Sequence, residues 1–170
     1  MKTNDSEPCP PRYTSLPLPD YRHVPGETPH PTRDPAGHSF GRRPVWADAL
    51  KDLNAVAAGS CQALLYGIDL FNAGYWWECH EVLEALWLAA GIGTPAGHVL
   101  QAVIQCAASQ LETRTGQLRG GRRLLDHARN HVEWAGDFNL GLDLQAMLDD
   151  TERYLDDRAP DPALLTLNFE

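Results

Sequence analysis

The stretch FNAGYWWECHEVLEALW, residues 71–87, decides how the chain is read. At about 100° per residue, Cys79, Val82, Leu83 and Leu86 fall on one arc suited to a core, which makes the segment a helix with a buried face. His80 and Glu84 stand four apart and stack on a neighbouring arc, around which Trp76, Trp77 and Trp87 also project. Glu78 and Glu81, three apart, form a second pair on the far side.

Helical spacing continues on both sides. Upstream, Trp46, Ala49, Leu50 and Leu53 predict a helix over residues 44–59, and Leu64, Leu65, Ile68 and Phe71 predict another from Ser60, as N-cap, to about residue 72. Downstream, Thr94 and Pro95 cap and open a helix carrying Val99, Leu100, Val103, Ile104, Ala107 and Leu111. A further helix starts near Gln117, and a last one spans about 142–155. No period-2 run is long enough for a sheet, although the tail DPALLTLNFE reads as an extended strap. The expected fold is all-α, a single-domain antiparallel bundle of five to six helices.

Ten of the 13 prolines lie in the first 44 residues, so residues 1–43 form an irregular arm. Its stretch YRHVPGETPHPTRDPAGHSFG, residues 21–41, carries aromatics and three histidines and is expected to lie ordered against the bundle of residues 44–158; residues 159–170 form the strap.

A length of 170 residues fits one domain, and 43% hydrophobic with 22% charged residues is the balance of a globular chain. The formal charge of −9 argues against nucleic acid or an anionic membrane as partner. That charge is local: residues 133–170 hold ten acids against Arg153 and Arg158, and the remainder is nearly neutral. With no apolar signal-like or membrane-spanning stretch and four cysteines without a CxxC pair, the expectation is a cytoplasmic protein with reduced thiols.

Between Asp52 and Leu111 there is no lysine or arginine, yet Asp69, Glu78, Glu81 and Glu84 lie there. Carboxylates among tryptophans need a partner, because burial disfavours the ionised form. The partner comes from His80, from the arginine-rich segment 114–129, from the histidines of the arm, or from a metal ion.

Taken together, the 71–87 stretch, LQAVIQCAASQ with the following TGQLRGGRRLL, and the arm segment resemble the bacterial and archaeal domain-of-unknown-function family 309 over about residues 21–128. The resemblance implies a small helical bundle and carries no established activity. Its motif positions are Asn72, Gly74, Glu78, His80, Glu81, Glu84 and Trp87, then Gln101 and Gln105, then Gly116, Gly120 and Gly121. Cys79 and Ala102 depart from the alanine and glycine expected there, which bears on packing more than on chemistry.

Two function classes fit. In the first, His80 and Glu84 hold a divalent metal, with His30 or His38 of the arm as further ligand and Glu81 or Glu78 as general base of a hydrolase. Gln101, Gln105, Trp77, Trp87, Arg122 and Arg123 would then face the ligand or support the site, and a small molecule would be the partner. In the second, a binding or assembly module, a homo-oligomer among the options, uses the same acids as a structural network with Arg114, Arg119, Arg122 or Arg123. His127 and His131, also four apart, fit a metal pair or an exposed helix end where imidazolium complements the dipole.

Overall fold

The computed structural model describes residues 11–48, 61–157 and 159–168. It contains α1 (Gln62–Asn72), α2 (Trp76–Ala90), α3 (Pro95–Arg114), α4 (Leu118–Ala135) and α5 (Leu144–Leu155), an all-α bundle in which each helix packs on the next and α5 also returns onto α3. Most of the helix expected over residues 44–59, and the serine cap at Ser60, lie outside the described residues. The beginning of that segment, residues 45–48, forms turns.

The helix ends follow from their sequences. Thr94 Oγ1 accepts from the Gly97 N–H at 3.0 Å, and Pro95 opens α3 where no backbone donor is needed. Between α1 and α2 the chain turns back within three residues. Gly74, at φ 76°, takes the left-handed conformation there, and the Tyr75 N–H reaches the Leu70 carbonyl at 2.8 Å, which closes the C-terminus of α1.

Helix α1 is buried nearly all round, with Leu64, Tyr66, Ile68, Leu70 and Phe71 in the core. Its partner α2 contributes Cys79, Val82, Leu83 and Leu86, the arc expected from spacing. The glycine-rich, basic stretch TGQLRGG, residues 115–121, reads in the sequence as one tight interhelical turn, but only residues 115–117 turn and the glycine pair at 120–121 does not. Both residues lie inside α4, where Gly121 approaches α3 so closely that Ser109 Oγ donates to its carbonyl at 2.7 Å. Arg122 beside it is consequently turned toward α5 rather than α2. Arg122 pairs with Asp156 just beyond α5 at 2.6 Å, a half-exposed contact that contributes at most about 1 kcal/mol.

The ends of the chain attach through side chains rather than through a sheet. In the tail, Ala163, Leu165 and Leu167 are buried and alternate with exposed neighbours, as expected for an extended strap, and Leu167 makes an isolated antiparallel bridge to Leu142. Asn72 takes the place of a strand partner: its Nδ2 donates to the Leu165 carbonyl at 2.8 Å and its Oδ1 accepts from the Leu165 N–H at 2.7 Å. Gln110 Oε1 likewise accepts from the Ala163 N–H at 2.7 Å. Asn72→Ala leaves a buried donor and acceptor unpaired and is expected to cost about 2–4 kcal/mol. Chemical denaturation together with limited proteolysis of the tail checks this; unchanged stability and cleavage would count against the anchor.

Candidate functional site

The proline-rich arm has few backbone donors, and the bundle meets what it offers. Asp69, buried on α1, accepts from the Tyr13 N–H at 2.7 Å, the Thr14 N–H at 2.9 Å and the Thr14 hydroxyl at 2.7 Å. Arg12 adds a contact at 3.6 Å. Tyr66 and Tyr75 donate their hydroxyls to the carbonyls of Pro17 and Pro19.

Glu78 continues the pattern on α2. Its Oε1 accepts from the His23 N–H at 2.8 Å and from His38 Nε2 at 3.0 Å, and the His38 and Glu78 side chains are only 4% and 6% exposed. With Nε2 directed at the carboxylate, His38 turns Nδ1 to the Ser39 hydroxyl, 2.7 Å away. Ser39, His38 and Glu78 thus form a hydrogen-bonded relay. Glu78 Oε2 is buried and meets no hydrogen-bond donor among the described residues.

Arm and helices enclose a cleft of about 250 Å³. Trp46, Trp77 and Tyr66 supply aromatic walls, and His38, Ser39, Arg42, Glu78 and Glu81 supply polar ones. Trp77 is held edge-on by the rings of His23 and His30. Trp76, the other member of the pair, is buried and tilted against Tyr154.

At the rim, His80, Glu81 and Glu84 each offer a ligand atom within 4.8 Å of the others. His80 Nδ1 lies 3.8 Å from Glu81, and His80 Nε2 lies 3.9 Å from Glu84. Burial pushes the Glu81 carboxyl upward; His80 opposes this, Glu84 adds to it, and His30 and Arg33 oppose it. Ligand atoms 2.0–2.2 Å from a tetrahedral ion stand about 3.4 Å apart, so this imidazole and two carboxylates fit a divalent cation after small side-chain adjustments. Their half-exposed positions leave room for water or substrate to complete the shell.

The sequence-based candidates separate accordingly. Glu81 joins His80 and Glu84 in the ligand group instead of standing apart as a base. His38 is engaged through both ring nitrogens by Glu78 and Ser39, so it is not a ligand of the His80 group. His30 lies close enough to act on Glu81, although its Nδ1 accepts from the N–H groups of Thr32 and Arg33. Gln101 and Gln105 pair with each other on α3, away from the cleft lining, and Trp87 lies at the other end of α2 beside Gly97. The expected pairing of the α2 acids with Arg114, Arg119, Arg122 or Arg123 does not form among the described residues: Arg122 and Arg129 pair with acids of α5 and just beyond it, and the arm takes the buried acid. Asp69 stands in the sequence only as one of four acids without a local cation, and nothing there singles out Ser39, Arg42 or Trp46 for the cleft. Its signal is that of an acid within the apolar run LLYGIDLF.

A small all-α bundle with a histidine and two carboxylates grouped on one helix is the class these features define. Residues 64–124 match the family model described as Domain of unknown function (DUF309), which gives the resemblance its extent: from α1 into α4, with all four acids of α1 and α2 and none of the arm histidines. No curated protein and no solved structure matches the chain. Among the described residues, no helix is long and apolar enough to cross a membrane.

His23 gives this site a pH dependence. Burial holds its pKa below the ordinary imidazole value of 6.5, with Glu78 opposing. Above 6.5 the ring is neutral in both folded and unfolded chains; as pH falls below that value the unfolded chain takes up the proton first, so stability declines. His23→Asn is expected to flatten the stability profile between about pH 7 and pH 5. Equal slopes for the variant and the parent in denaturant titrations would refute this.

Proposed function

We infer that the cleft is the substrate site of a divalent-metal-assisted hydrolase acting on a small molecule. The observation that carries this reading is the convergence of His80, Glu81 and Glu84 within 4.8 Å at the rim of a cleft that Glu81 also lines. When bound, the cation supplies an activated water at neutral pH. The chain's own residues supply the rest. His38, oriented by Glu78 and bonded to Ser39, holds a proton that can move along a preformed path. Arg42 offers positive charge to an anionic group, Trp46 and Trp77 bury an apolar or aromatic part of the substrate, and the arm excludes bulk water.

A second reading, a non-enzymatic module, is favoured by one observation: Glu78 spends two hydrogen bonds on attaching the arm. Calorimetric titration with Mn2+, a cation suited to carboxylates, separates the two. The hydrolase reading expects one ion per chain, a raised melting temperature, loss of both in His80→Ala and Glu84→Gln, and metal-dependent cleavage of chromogenic small esters or phosphates. His38→Gln should lower that turnover while leaving Mn2+ affinity unchanged. If chelator-treated and Mn2+-loaded samples melt alike and retain no stoichiometric ion, the hydrolase reading falls and the arm-anchoring role stands.

A further inference from the structure

We propose a second metal site, for a transition-metal cation of the nickel, copper and zinc class, at the opposite helix pair, formed by His98 of α3 with His131 and His127 of α4. It is independent of the α2 rim. Antiparallel packing brings the first turns of α3 beside the last turns of α4, and there His98 Nδ1 and His131 Nδ1 face each other at 3.0 Å. A neutral pair shares one proton between these atoms, and a cation can replace it. Two imidazole nitrogens bound 2.0–2.1 Å from one tetrahedral ion stand about 3.3 Å apart, so the observed spacing is already close to a chelating bite. His127 lies one turn before His131 and is exposed; its ring does not yet join the pair, and it would complete a three-imidazole set by swinging its side chain toward them.

The surroundings suit ligation. Burial, His98 and His127 all lower the pKa of His131, which keeps the ring in the neutral form a metal requires. Trp134 covers one side, its ring 5.5 Å from that of His98 and 5.2 Å from that of His131. Three imidazoles without a carboxylate select for nickel, copper or zinc over magnesium, calcium or manganese, so the site differs in metal preference from the oxygen-rich rim.

The test uses the full chain carrying His80→Ala, Glu81→Gln and Glu84→Gln, the background in which every variant below is made and which removes the rim ligands, titrated with Ni2+ and followed by calorimetry and tryptophan fluorescence. One ion per chain with quenching is expected. His98→Ala or His131→Ala should weaken Ni2+ binding by at least about 100-fold, since loss of a merely supporting contact costs 10–100-fold. Trp134→Phe should remove most of the quenching and leave the calorimetric stoichiometry intact. Absence of saturable binding in the His80→Ala/Glu81→Gln/Glu84→Gln chain, or binding indifferent to His131→Ala, overturns the site. Binding indifferent to His127→Ala overturns its three-histidine composition. Neither result bears on Mn2+ at the rim.

Discussion

Asp69 and Glu78 bring carboxyl groups into the apolar centre of a segment that has no lysine or arginine, and the way those groups are met determines where the rest of the chain lies. A buried carboxylate left without partners costs several kcal/mol. Here the partners are mainly main-chain N–H groups of the arm at Tyr13, Thr14 and His23, with the hydroxyl of Thr14, the ring of His38 and the more distant Arg12. The dependence runs both ways, since an arm rich in proline has few donors and cannot form a helix or a ladder of its own. Each side removes the other's unsatisfied polar groups.

That exchange also builds the cleft. Because Glu78 and Asp69 hold the arm at separate points along α1 and α2, the arm spans the space between with its histidines and Trp46 turned toward α2. Of the rim group on α2, Glu81 lines that cleft and is partly buried by it, while His80 and Glu84 beside it stay half-exposed to solvent. Neighbours on one helix differ in what they meet: Glu78 looks inward and binds the arm, while His80, Glu81 and Glu84 look outward and lie within 4.8 Å of one another.

Much of this was legible in the sequence. Period-3.6 spacing located α1 to α5 to within a few residues, and Thr94 with Pro95 marked one helix start. The absence of local cations showed that the α2 acids need distant partners. It could not select among them, because arginine and histidine are equally remote along the chain and only the direction in which α4 presents its arginines decides. Gly120 and Gly121 illustrate the difficulty: a glycine pair beside basic residues fits a turn as well as a close helix contact, and the two place Arg122 on different sides. His98 had no sequence signal at all, since its partner lies 33 residues away and becomes a neighbour only when α3 and α4 fold back on each other.

The side-chain attachments of arm and strap bear on what counts as a unit of this protein. The segment recognisable as a family runs over residues 64–124, whereas the groups that neutralise Asp69, Glu78, Asn72 and Gln110 lie before or after it. Cut to its recognisable part, the chain would expose polar atoms that evolved to be covered. Residues 64–124 are therefore part of a packed unit that residues on both sides complete, and a boundary drawn at either end of the match would cut through the interior.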